Sequence, residues 1–336
     1  MVSLCLFFAI VQPTRRAMMD TSRQFQQLFP EALPLAHSFD FDGQSVRYGV
    51  IGAGMPMVLI HGTPFSSQVW RRIAPIAARF RQVFYFDLLG YGISEQRADQ
   101  DVSLGVQNRL LAALLKHWRL EKPDVVAHDF GGATALRAAL LDQCEYRSLL
   151  LIDPVAVAPW GSPFVRHVRT HEAAFANVPS YIHEAMVNAY LQGAANRTLS
   201  AATLSIYTSP WMGEPGQAAF YRQIAQMDQR YTDEVQPLYG ELRCPVSILW
   251  GEEDQWIPID RGLELSAMIP RARFTRVSGS GHLMQEDAPE AIVGELMDFL
   301  QLGERHQIVG YLGSEVERLQ LAALRRTTED DGRCSR

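Results

Sequence analysis

The chain has few cysteines and none in pairs. Cys5, Cys144, Cys244 and Cys334 lie far apart along 336 residues, and no spacing among them suits a metal site. That argues against a disulfide framework and for free thiols in a reducing, cytoplasmic setting. Charge of one sign is also scarce. Thirty-one Lys and Arg stand against 37 Asp and Glu, a net charge of -6, so the basic footprint of a nucleic-acid binder is missing. The apolar run Leu4 to Val11 is too short to span a bilayer. It has no basic segment before it, and Arg15 and Arg16 follow it, so it does not read as a signal peptide either. No internal repeat is evident.

What is present is an ordinary enzyme-like balance of 47% hydrophobic and 20% charged residues. Phe39 to Phe41 and Ser45 to Gly49 predict a hairpin turned at Asp42-Gly43. Met57 to Ile60, Gln82 to Phe86, Asp124 to Ala127, Ser148 to Ile152, Val246 to Trp250 and Arg273 to Val277 predict further strands. Helical spacing lies between them, at Ser67 to Arg79, Val102 to Trp118, Gly131 to Leu141, Ile257 to Met268 and Ala288 to Leu302. This alternation predicts an α/β fold with a mostly parallel sheet flanked by helices. Residues 155–240 show no buried strand and predict a helical cap, a lid inserted between sheet strands. The expected organisation is therefore an N-terminal extension (1–37), a core (38–154 and 241–302), the cap, and a partly disordered C-terminal extension (303–336). Glu315 to Arg325 could add one amphipathic helix.

The segment Val125-Val126-Ala127-His128-Asp129-Phe130-Gly131-Gly132-Ala133 reads as strand, tight turn and helix with Asp129 at the apex. Ala127, Gly131 and Gly132 are the small residues that such a crowded turn needs. An apex aspartate can cap the helix. It can also attack: a carboxylate attacking a saturated carbon leaves a stable alkyl ester that water later cleaves. Epoxides and alkyl halides supply such carbons.

Two further polar residues fall at strand ends, where open α/β sheets place their ligand crevice. Asp254 follows Val246 to Trp250, and His282 follows Arg273 to Val277 in Ser278-Gly279-Ser280-Gly281-His282. The order is nucleophile, acid, histidine, with His282 as base for water and Asp254 orienting it. The backbone N–H groups of Thr63, in His61-Gly62-Thr63-Pro64, and of Phe130 are candidates for an oxyanion hole.

These stretches, with 58–73, 86–95, 125–138, 249–258 and 279–290, resemble the α/β-hydrolase superfamily. Within it they resemble the Asp-nucleophile branch of epoxide hydrolases and haloalkane dehalogenases. The resemblance covers roughly residues 38–302 and is weakest in the cap. It implies Asp129 as nucleophile, His282 as base and Asp254 as acid. Some members carry the acid one strand earlier, which makes Asp153 the fallback.

Haloalkane dehalogenases use an indole N–H after the nucleophile and often an Asn in the H-G-x-P turn. Here those positions are Phe130 and Thr63, and no pattern assigns Trp160, Trp211 or Trp256 to the task. Fluoroacetate dehalogenases place an arginine where Phe130 stands. Epoxide hydrolases need acidic donors on the lid, and Ala219-Phe220-Tyr221-Arg222-Gln223 resembles that segment. Tyr221 is the first candidate, with His171 or His167 as partner. The expectation is epoxide hydrolysis to a diol without metal or cofactor, with halide release as alternative. A non-catalytic binding protein on the same scaffold is the reading from another class. The expected partner is a small apolar molecule, not nucleic acid or membrane, and the expected assembly is a monomer or homodimer.

Overall fold

Eight strands form one sheet: β1 (His37–Phe41), β2 (Gln44–Gly52), β3 (Pro56–Ile60), β4 (Gln82–Phe86), β5 (Asp124–His128), β6 (Ser148–Ile152), β7 (Val246–Gly251) and β8 (Arg273–Val277). Their order across the sheet is β1-β2-β4-β3-β5-β6-β7-β8. β2 runs antiparallel to β1 and β4, and the remaining pairs are parallel. These coordinates are a computed structural model describing residues 32–299. The Leu4 to Val11 run, the C-terminal extension and the Glu315 to Arg325 segment lie outside the described residues, as do most of the N-terminal extension and the last residues expected for the closing helix.

Sequence explains the sheet. Every residue of β5 and β6 is buried, as it must be where helices cover both faces, and each strand carries a continuous apolar stretch, Val125 to Ala127 and Leu149 to Ile152. The β1–β2 turn has positive φ at Asp42 (51°) and Gly43 (75°), the type I′ geometry that suits twisted strands. Helix α1 (Leu104–Trp118) begins after Ser103 and ends at Arg119 in the left-handed region. Helix α2 (Phe130–Leu140) leaves the end of β5. The expected helix over Ser67 to Arg79 is instead a 3-10 turn, Ser67–Trp70, and a short helical turn, Ala74–Ala77. Pro75 has no N–H to continue the first turn and sits at the start of the second.

Between β6 and β7 lie four longer helices: α3 (Pro163–Ala176), α4 (Ser180–Gln192), α5 (Ala201–Thr208) and α6 (Gly213–Ala225). Ser162 and Ser200 cap α3 and α5 by accepting from Val165 N and Thr203 N. This helical insert is tied to the core on two sides. Asp287 accepts from Asn196 N (2.8 Å), Arg197 N (2.9 Å) and Gly281 N (2.9 Å), and Leu283 N donates to Ala194 O (2.8 Å). On the other side Gln226 accepts from Val102 N (2.7 Å) and donates to Gln100 O (2.7 Å). Helices α7 (Ile259–Met268) and α8 (Pro289–Phe299) complete the layers. Among the described residues no helix is long and apolar enough to cross a membrane.

Candidate active site

Asp129 stands between β5 and α2 with φ 51° and ψ -117°. Such a backbone costs a non-glycine residue on the order of 1–3 kcal/mol and persists only where neighbours enforce it. The neighbours are close. A Cβ on Gly131 would sit 2.5 Å from Ile60 O, and one on Gly62 would sit 2.4 Å from Asp129 Cβ. The glycines thus let the β3 turn press against the apex carboxyl. The side chain does not cap α2. Its Oδ1 instead accepts from Thr63 N at 2.7 Å.

The β3 turn is itself held by His61. Leu88 N donates to His61 Nε2 (2.9 Å), so the proton lies on Nδ1, which donates to Gly62 O (2.9 Å). Burial lowers the His61 pKa and keeps this ring neutral.

His282 reaches in from the loop after β8. Its Nδ1 lies 2.8 Å from Asp254 Oδ2, and its Nε2 lies 3.3 Å from Asp129 Oδ2. The second contact is an ion pair without hydrogen-bond alignment. Asp254 is fixed in turn, because its Oδ1 accepts from Trp256 N (2.7 Å) and Ile257 N (2.9 Å). Asp153, at the end of β6, is fully buried; its Oδ1 accepts from Gly251 N (2.8 Å), and its Oδ2 has no partner among the described residues. The structure thus joins Asp129, His282 and Asp254 and leaves Asp153 beside them.

Electrostatics separate these groups. Burial opposes ionisation of Asp129, but the His282 contact and charge, His128 and the Phe130 N–H together outweigh it, so its pKa is lowered. Burial likewise opposes charge on His282, yet Asp254 and Asp129 hold its pKa well above the usual imidazole range. Burial and the Asp254 charge push Asp153 far up, which makes it a neutral acid.

A cavity of about 30 Å³ lies over Asp129, room for a few waters at most. Phe130, Val155, Trp160, Val165, Tyr190 and Trp256 are among its walls, and no cationic side chain lines it among the described residues.

The expected lid donors need correction. Tyr221 is buried but does not line this cavity. His183 Nε2 donates to Trp211 O (2.9 Å), so its Nδ1 is the acceptor, and the Tyr221 hydroxyl donates to it (3.0 Å). The Tyr221 proton is committed there, and burial lifts its pKa to about 12. His171 and His167 are exposed on α3, outside the cavity. The tyrosine that lines this cavity with Asp129 is Tyr190 of α4. It lines the cavity, its hydroxyl has no hydrogen-bond partner among the described residues, and burial followed by the Asp129 charge raises its pKa. Its ring stacks on Trp256 at 4.5 Å, and Trp256 stacks on His282 at 5.0 Å. Tyr190 stands in no motif; only its place on α4 brings it to Asp129. The indoles of Trp160 and Trp211 are spent on Thr232 Oγ1 and Pro64 O, both at 2.8 Å. No group of three His, Cys, Asp or Glu among the described residues could hold a metal ion.

A strained apex, an apposed histidine, an acid behind it and backbone donors from the neighbouring strand end are the parts that covalent catalysis requires. Comparison with known proteins agrees on the lineage. The model of the alpha/beta hydrolase family matches residues 57–295. The chain belongs to the α/β-hydrolase family. A solved α/β-hydrolase fold protein from Burkholderia ambifaria is 55% identical, covering 80% of this chain and 98% of that one, with a TM-score of 0.78. Among characterised relatives, 2-hydroxy-6-oxo-2,4-heptadienoate hydrolase of Pseudomonas putida is 26% identical over 265 residues, 74% of this chain and 90% of that protein. The haloalkane dehalogenase DatA of Agrobacterium tumefaciens C58 is 20% identical, covering 80% of this chain and 96% of that one, with a TM-score of 0.68. At that identity the α/β-hydrolase fold alone is shared.

Proposed function

We propose that this α/β hydrolase opens an epoxide through an ester on Asp129 and hydrolyses that ester to a diol. The observation that carries the reading is Asp129 itself, ionised and lining the cavity, with Oδ1 on Thr63 N and Oδ2 beside His282. In the first step Oδ2 bonds to a ring carbon as the ring C–O bond breaks, and the released oxygen takes a proton from the Tyr190 hydroxyl. Water then reprotonates the tyrosinate. Esterification removes the Asp129 charge that helps to hold His282 protonated, so the imidazole sheds its proton and can act as base. In the second step water adds to the ester carbonyl carbon and passes a proton to His282 Nε2. The carbonyl oxygen carries negative charge toward the Thr63 and Phe130 N–H groups. Collapse releases the alcohol, which takes the proton from His282, and leaves Asp129 as the carboxylic acid; that acid's proton then passes to His282 Nε2 and restores the carboxylate and imidazolium. Asp254 steadies the imidazolium throughout.

The walls argue for a small apolar substrate. They also argue against two other chemistries. The named substrate of the 26%-identical relative is a dienoate, a carboxylate, and this cavity offers no cation to receive one. A departing halide wants strong N–H donors, and two of the three candidate indoles are already bonded elsewhere. With so little room over Asp129, the helical insert acts as a lid that must part to admit substrate.

A panel of styrene-oxide-type epoxides tests the assignment. Cofactor-free formation of diols is expected. Chloride or bromide release from haloalkanes, with no diol from any epoxide, would reverse the leaving-group assignment.

A further inference from the structure

Gln223 lies on α6 of the insert, 2% exposed, and none of the steps above uses it. Its Oε1 accepts from the Thr63 hydroxyl at 2.6 Å and from the Tyr91 hydroxyl at 3.0 Å. Thr63 is the residue whose backbone N–H holds Asp129 Oδ1 at 2.7 Å. The next residue, Pro64, has its carbonyl held by Trp211 Nε1 of the insert at 2.8 Å. The insert therefore grips both sides of the Thr63–Pro64 peptide with polar contacts. Thr63 Oγ1 is the only Thr63 side-chain donor, and it is spent on Gln223.

The character of the contact sets it apart from ordinary glue. Gln223 Nε2 is buried without a partner among the described residues. A buried amide donor left unpaired is uncommon, and an apolar side chain of the same shape would avoid it. The feature that Gln223 adds over methionine or leucine is the Oε1 acceptor, and that acceptor is used on the oxyanion turn.

We propose that Gln223 is a positioning residue that couples closure of the helical insert to the oxyanion donor. With the insert closed, it fixes Thr63 so that its N–H meets the ester carbonyl oxygen as water adds. With the insert displaced, that donor loses its support and ester hydrolysis waits. The inference rests on Asp129 forming the ester proposed above.

The role has a kinetic signature. Slowing only the second chemical step lowers kcat and KM together and leaves kcat/KM, set by ester formation, unchanged. Loss of a whole oxyanion donor costs about 10²–10³ in rate, so misplacing one predicts a fall in kcat of about tenfold. The test uses the full-length protein with styrene oxide. Gln223→Met and Thr63→Val each break the contact from one side, so one still reports if the other fails to fold. His282→Gln, which keeps the nucleophile and removes the base, serves as control. The expected result is kcat and KM falling in parallel, with an epoxide-mass adduct visible during steady state. Unchanged kcat, or a lower kcat with unchanged KM and no adduct, overturns the proposal while an adduct in His282→Gln upholds the ester mechanism. No adduct in His282→Gln removes the mechanism, and the role of Gln223 falls with it.

Discussion

The His128 Nε2 donates to the backbone carbonyl of His282 at 2.9 Å, so the residue before Asp129 holds the main chain of the histidine that faces it. A carbonyl can only accept, which puts the His128 proton on Nε2. Its Nδ1 has no partner among the described residues. Burial, followed by the charge of His282, depresses the His128 pKa to about 4.

That depression makes a stability prediction. Below pH 6.5 the unfolded chain takes a proton on this histidine while the native state does not, so stability falls as pH drops toward 4. The loss from His128 is on the order of 3 kcal/mol across that window. His282 works in the opposite sense. Its raised pKa contributes stability that is fully present below pH 6.5 and is lost as pH rises through the folded value. Denaturant melts across pH should show His128→Gln with a shallower acid limb than wild type. His61 and His183, also lowered by burial, keep part of that slope. An unchanged acid limb would show that His128 is not held neutral.

Tyr190 and Tyr221 should separate cleanly. Tyr190→Phe keeps the stack on Trp256 and removes the hydroxyl proposed as proton donor, so kcat for epoxides should fall about a hundredfold or more with melting little changed. Tyr221→Phe leaves His183 Nδ1 without its donor, which costs about 1–3 kcal/mol of stability while the folded enzyme stays active. Epoxide kinetics and thermal melts on both variants read this out. The reverse pattern would return Tyr221 to the site.

Water should enter the protein before the product. In a single turnover with enzyme in excess in heavy-oxygen water, the label should appear on the Asp129 carboxylate and not in the first diol formed. Peptide mass spectrometry of the segment that holds Asp129 measures this. Label in the diol from the first turnover would mean direct attack of water on the ring.

Acid should expose the intermediate. Ester hydrolysis needs neutral His282, and a falling pH returns a proton to that imidazole. The steady-state adduct fraction should therefore rise as pH falls from 8 to 5, read by rapid quench and intact mass. An adduct fraction independent of pH would remove His282 as the base.

The sheet was legible because its central strands are buried on both faces and carry unbroken apolar stretches, Val125 to Ala127 in β5 and Leu149 to Ile152 in β6. The meeting of Asp129, Asp254 and His282 was legible because strand ends converge by topology alone. The insert was not legible at the level of side chains. Which face of α4 or α6 meets the core depends on helix packing that no local pattern records. Tyr221 therefore read as the donor, although its hydroxyl turns to His183, and Tyr190 gave no signal. His171 read as its partner, but α3 carries it outward, with a break from helical geometry at that residue. The Ser67 to Arg79 helix failed more locally, at Pro75.

The most direct test of the account is intact mass of His282→Gln after incubation with styrene oxide. The account predicts a stable mass gain equal to that of the epoxide, mapped to Asp129 and absent in the Asp129→Asn, His282→Gln double variant. Full diol turnover by His282→Gln, or no gain in mass with any epoxide or haloalkane, would contradict it.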